Sequence, residues 1–197
     1  MDIGTGAGLS SSTGIRPYLP PLLAGALARG DVGIDFDGTD FSFLESTAFL
    51  AAILVLAVAA FLVERSAWRS ARERQRRARD PFDVLAGLIG MGLGALLFAG
   101  VLADNGEEVW IGLLLGPLCA ALGWIAIGGL VERVRTRLEP AQAALLTAYA
   151  DGAALVLAAI AVFVPPLAYL AIPGFVLLIL AGRRREDQKY AGLRILR

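Results

Sequence analysis

Residues 141–182 run for 42 positions with a single charged side chain, Asp151. A membrane span takes about 20 apolar residues, so this run must hold two helices, with Pro165 and Pro166 marking the turn between them. Three further stretches, 46–63, 84–103 and 109–131, carry no charge at all. Apolar residues make up 57% of the 197, and the mean hydropathy is +0.67. That much apolar surface in such long runs belongs in lipid rather than in a soluble core. Helices are the expected element, because only helices and closed barrels satisfy their own backbone in hydrocarbon.

A less regular stretch precedes these runs. Residues 8–27, GLSSSTGIRPYLPPLLAGAL, carry one charge, Arg16, within membrane depth. Ser10, Ser11, Ser12 and Thr13 stand in a row before Gly14, and Pro17, Pro20 and Pro21 each remove a backbone donor. A continuous helix is not expected here. Broken backbone at that depth has to face protein or water. Residues 1–7, with Gly4 and Gly6, read as a flexible entry to this segment. The resulting fold class is all-α: a polytopic membrane helical bundle in one domain, residues 1–197. It has about six transmembrane segments arranged as three helical hairpins, the first segment broken. The expected spans are 8–29, 46–64, 83–103, 109–131, 141–164 and 166–182. A re-entrant hairpin is the alternative for the first of them.

Net charge is zero, yet the charges are sorted. Sixteen of the 18 basic residues fall in 65–79, 133–137 and 183–197, while Asp31, Asp35, Asp37, Asp40 and Glu45 occupy the loop 30–45 and Asp104, Glu107 and Glu108 the loop between the third and fourth spans. The positive-inside rule then makes the Arg-rich loops cytoplasmic, with both termini inside if all six segments cross and the amino terminus outside if the first is re-entrant. The loop Arg65–Arg79, with Trp68 as an interfacial anchor, suits anionic lipid headgroups better than nucleic acid. Asp80-Pro81 and Glu139-Pro140 mark helix starts, with proline at the first helical position.

Chemistry is constrained by what is missing. The chain has no histidine and one cysteine, Cys119. Disulfides, Cys-cluster or His-ligated metals, and Ser-His or Cys-His catalysis are therefore excluded, and neither an enzyme nor a cofactor is expected. Asp35, Asp37 and Asp40 lack the spacing of a calcium loop and read as a solvated acidic stretch without a metal. Small residues recur at Ala86, Gly90 and Gly94 and at Gly112, Gly116 and Ala120, which lets helices approach closely within one chain or between two copies as a homo-oligomer. A repeat of LVER at 62–65 and 130–133 supports the three-hairpin reading.

Asp151 lies eleven residues into the fifth span, on one face with Thr147, Ala154 and Ala158. A carboxylate there is costly unless it is paired, protonated or wet. At 1.5 Å per residue, Arg16 is about 12 Å and Asp151 about 15 Å from the inner starts of their segments. The two are expected to meet near the bilayer midplane, beside Ser10, Ser11, Ser12, Thr13 and Thr147, as a substrate-binding site for an anionic or zwitterionic group. The function expected from such a site is transport of a small solute by a carrier or channel-like protein. Binding or flipping of a phosphate-headgroup lipid, and a non-transporting scaffold, are the alternatives.

GIRPYLPPLLAGALAR at 14–29, FSFLESTAFLAA at 41–52, the helix start at 80–85 and DGAALVLAAIAVFVPPLA at 151–168 resemble the bacterial membrane-protein family called domain of unknown function 4126. The resemblance implies a small helical protein of a bacterial plasma membrane and carries no activity with it. LSSSTG at 9–14 is also similar to the Ser-Gly loops of undecaprenyl-phosphate-handling membrane proteins, though the acidic motif and histidine of the phosphatases among them are absent.

Overall fold

The computed structural model describes residues 2–70, 81–135 and 140–191, all helix and loop. In chain order the elements are α1 (Asp2–Ile15), α2 (Leu19–Ala28), a 3-10 turn (Ser42–Glu45), α3 (Thr47–Ser70), α4 (Pro81–Asp104), α5 (Val109–Arg135), α6 (Pro140–Phe163), the single turn α7 (Pro165–Ala168) and α8 (Ala171–Ala191). Prolines open α4 and α6, where their missing N–H would have had no intrahelical partner. The α4 to α5 turn closes as a Schellman motif: Gly106, at φ +70°, donates to the Ala103 carbonyl and Glu107 to that of Leu102. Four stretches are long and apolar enough to cross a membrane: Asp83–Asp104, Val109–Val131, Leu145–Phe163 and Pro165–Gly182.

The first segment does not make the single passage expected of residues 8–29. Gly4 packs against the Pro165 carbonyl and the Tyr169 ring, Gly8 against Ala161, and Arg16 meets Asp151, so α1 runs antiparallel to α6 down to the middle of that helix. The chain then turns at 16–18, and by Gly33 it is back beside Val162, at the same end from which α1 set out. The segment is therefore a helical hairpin that turns back about halfway along α6, the geometry of the re-entrant alternative. Both of its ends lie with Asp31, Asp35 and Asp104 at what is here called the acidic end. α8 runs from that end toward the opposite, basic end, so among the described residues Asp2 and Ala191 lie at opposite ends of the bundle, whereas six crossings put them on one side.

The start of the chain differs from expectation as well. Residues 2–7 are helical, not a flexible entry, and the Ser-Thr run is helix rather than its break. Helix α1 is the axis of the molecule, packed against α4, α5 and α6 and touching α7 and α8. Its sequence, DIGTGAGLSSSTGI, is almost all small residues, which is what allows close approach on several faces. A Cβ on Gly14 would sit 1.8 Å from the Ala120 carbonyl oxygen, and one on Gly123 would sit 2.2 Å from that of Ser11. Because α1 occupies the centre, α6 and α8 do not pair as a third hairpin: α6 lies on α1 and α2, and α8 on α5.

The glycine stripes of α4 and α5 are used within this one chain. Gly112 packs on Ala99, Gly116 on Gly94 and Ala95, and Gly90 on the Thr13 carbonyl and Pro17. These faces are thus occupied before any second copy arrives. Helix α5 continues unbroken through Pro117. Helix α3 extends beyond the expected span end to Ser70; the side chains of 65–70, residues 71–80 and the basic tail beyond 191 lie outside the described residues, and with them the headgroup surface expected at Arg65–Arg79.

The acidic loop is more than a solvated connection. Ile34, Phe36, Phe41 and Leu44 are buried in the same apolar cluster as Leu9, Ala24, Leu97 and Ala158. Phe36 is fully buried against Gly100 of α4, so the loop seals the acidic end of the hairpin. Substituting Gly14→Ala forces two backbones apart and is expected to destabilise the protein by roughly 1–3 kcal/mol. Gly92→Ala, where nothing lies within 4 Å of the new Cβ, is expected to stabilise by about 0.5–1 kcal/mol as a helix-interior replacement. Thermal unfolding of both variants in one detergent checks the pair, and equal effects contradict the packing described.

Candidate functional site

The hairpin tip is built by proline. A residue preceding proline is pushed out of the helical region, so helix α1 ends at Ile15 because Pro17 follows Arg16. The Arg16 amide still donates to the Ser12 carbonyl at 3.1 Å, and the chain bends over 16–18 before α2 begins. Pro20 and Pro21 then fall in the first turn of α2, where absent donors cost nothing. The prolines thus make one sharp reversal between two intact helices.

This reversal presents Arg16 to α6. Its Nε lies 2.5 Å from Oδ1 of Asp151. Asp151 sits about 16 Å along a helix about 36 Å long, close to halfway. The next turns of the same face, Ala154, Ala158 and Ala161, are fully buried, and their small side chains let α1 come close enough for the pair to form. Both partners retain some exposure, 21% for Arg16 and 35% for Asp151, so the pair lies at an opening and not inside a sealed core.

The remaining residues named from the sequence are placed differently. Ser10 Oγ donates across to the Gly94 carbonyl on α4 at 2.7 Å, and Ser12 Oγ and Thr13 Oγ1 both donate to the Leu9 carbonyl at 2.7 Å. These hydroxyls satisfy themselves in helix packing, one to two turns from the tip. Ser11 Oγ is buried and meets no hydrogen-bond partner among the described residues. Thr147 is half-buried, one turn from Asp151 toward the basic end. Arg16 and Asp151 come together, Thr147 stands beside them, and the Ser-Thr run supports the tip from above.

A second polar group lies at the acidic end. The carboxylates of Asp35, Asp37 and Glu45 approach within 4.8 Å of one another, with Glu45 in the place where the sequence suggested Asp40. Burial, and then a hydrogen bond and repulsion from Asp37 and repulsion from Asp35, push the Glu45 carboxyl above its ordinary range, against a smaller lowering by the Phe36 backbone. The spacing 35, 37, 45 has no periodic signature, so only the loop's fold reveals the grouping. Nearby, Arg29 Nη1 donates to Thr47 Oγ1 at 2.6 Å and ties the end of α2 to the start of α3.

A helical protein with apolar spans, a re-entrant hairpin and an ion pair at its tip is the class these features define. The chain belongs to the family described as Domain of unknown function (DUF4126), whose model matches residues 3–185. No curated protein and no solved structure matches it.

The ion pair makes a specific demand on mutants. Removing one partner leaves the other charge at membrane depth, whereas removing both leaves none. Arg16→Gln and Asp151→Asn are each expected to be less stable than the double variant, with a coupling of about 1–2 kcal/mol given the partial exposure. A double-mutant cycle by chemical or thermal unfolding measures it, and additive losses contradict a functional pair.

Proposed function

We propose that the Arg16–Asp151 pair is the ligand-engaging centre of a membrane carrier that takes an anionic or zwitterionic group to mid-membrane depth. The observation that carries the reading is the pair's position: a guanidinium and a carboxylate at the tip of a re-entrant hairpin, halfway along α6, still partly accessible. Ionisable groups at such depth are rare, expensive and characteristic of pathways for solutes and ions. Broken helices meeting near the midplane are how many carriers assemble a site from backbone and charge.

Packing supports a one-sided opening. Between the pair and the acidic end, Leu9, Leu97, Phe98, Phe36 and Leu44 are buried with almost no exposure. Toward the basic end, Phe61, Leu85, Leu88 and Leu145 are exposed. The site is therefore read as closed toward the acidic face and open toward the basic face, which the sorting of charges assigns to the cytoplasm of a bacterial cell. A ligand reaches Arg16 from that side by exchanging with Asp151.

Accessibility tests this without knowledge of the ligand. In a Cys119→Ser background, Thr147→Cys is expected to react with a charged, membrane-impermeant thiol reagent from the basic side alone. Ser10→Cys, deep in the packing, is expected to stay unreactive from either side. Protection of Thr147→Cys from both faces contradicts an open site at the pair.

A further inference from the structure

The reading of the pair as a ligand site says nothing about what kind of molecule arrives, and two features of the structure bear on that. The first is the chemistry of the approach. Leu54, Val55 and Leu56 of α3 are all exposed, and three consecutive helical residues point about 100° apart. The face through Ile53 packs near the acidic end, where α3 meets α2 and the 3-10 turn, while further along Phe61, Leu62 and Val63 are all exposed and α3 stands apart from the bundle. On α6, Leu145 and Tyr149 are likewise exposed, and on α4 Val84, Leu85 and Leu88. The basic half of the molecule below the hairpin tip is thus open sideways, toward the membrane, as well as downward.

Its walls are dry. Residues 54–63, 84–93 and 145–150 read LVLAVAAFLV, VLAGLIGMGL and LLTAYA, so Thr147 and Tyr149 are their only side chains with hydrogen-bonding groups. A hydrated solute entering along such walls would shed its water with almost nothing to replace it, at several kcal/mol for an ion. An amphiphile meets no such barrier. Its tails match the branched aliphatic walls while its headgroup alone reaches the polar tip.

The second feature is that the tip offers charges of both signs. Arg16 and Asp151 pair across the tip, so a lone anion that took the guanidinium would have to compete with Asp151 for it at membrane depth. A headgroup carrying both signs opens the pair without that cost: a phosphate takes Arg16, in the bidentate geometry guanidinium favours, and an ammonium takes Asp151.

Resting on the reading of the pair as a ligand site, we infer that the occupant is a zwitterionic phospholipid with a phosphate and a primary ammonium, of the phosphatidylethanolamine kind, entering sideways from the bilayer. The lipid contributes two complementary charges and its own apolar body. The protein contributes a fixed cation, a fixed anion and a dry lateral entrance.

Native mass spectrometry of the full-length, delipidated protein in detergent tests this with three probes: dipalmitoyl phosphatidylethanolamine, dipalmitoyl phosphatidylglycerol and the tail-less glycerophosphoethanolamine. The expected result is one saturable phosphatidylethanolamine site, bound about tenfold more tightly than phosphatidylglycerol. Arg16→Gln and Asp151→Asn each abolish that preference, Asp151→Asn by letting the anionic lipid bind as well as the zwitterionic one. Arg16→Lys, which keeps the charge, retains it. The double variant Arg16→Gln with Asp151→Asn, with no unpaired charge to unfold it, binds both lipids alike. Competition by glycerophosphoethanolamine at equal concentration overturns the amphiphile while leaving the site in place. Equal wild-type binding of the two lipids overturns the zwitterion. Binding of all three probes unchanged in every variant overturns the site itself.

Discussion

Backbone groups freed inside a bilayer have nothing to bond with except protein, and most of this structure follows from meeting that demand at residues 16–18. The chain reverses at mid-depth, so the backbone of its turn has to be covered by neighbouring helices, and the helix leading to it has to be thin enough to be wrapped. Helix α1 meets both conditions with glycine, alanine and serine. Its closest neighbours touch it through carbonyls and methyl groups rather than through interlocking large side chains, as the contacts of Gly8 with Ala161 and Gly14 with Ala120 illustrate. Gly90, Gly94, Gly116 and Gly123 of α4 and α5 face inward for the same reason.

The ion pair sits where that wrapping ends. Two apolar residues of similar size at the same positions would be at least as stable, because desolvating a guanidinium and a carboxylate offsets most of their attraction. Retaining charge at the tip therefore gains little in stability. What it supplies is a place where a polar group can be exchanged for another, at the depth where the acidic half of the molecule is closed by Phe36 and Leu44 and the basic half lies open.

Much of this was legible in the sequence. Uncharged runs located α4, α5 and α6 and the break at Pro165, prolines marked the starts of α4 and α6, and two lone opposite charges in apolar segments pointed to the Arg16–Asp151 contact, although depths reckoned from one face do not apply, since α1 and α6 start at opposite ends. What was not legible has physical reasons. The hairpin was obscured because its two helices are short and its apolar content resembles a weak single span, so direction could not be read from residues 8–29 alone. The Ser-Thr run looked like the break because serine and threonine compete with helical bonding; here the Ser12 and Thr13 hydroxyls return to the Leu9 carbonyl within the helix, Ser10 reaches across to α4, and the helix stays intact. The acidic loop looked solvated because its charges outnumber its phenylalanines, yet burial of Phe36 and Phe41 decides where it goes.

Everything in this account requires that the chain double back at Arg16. In a Cys119→Ser protein in intact membranes, thiols placed at Ile3 and at Asp40, both exposed at the ends flanking the hairpin, report the direction of the first segment. The account predicts that Ile3→Cys and Asp40→Cys are labelled by an impermeant reagent from the same face of the membrane. Labelling from opposite faces would mean that the segment crosses once, and that the pair at its tip does not exist.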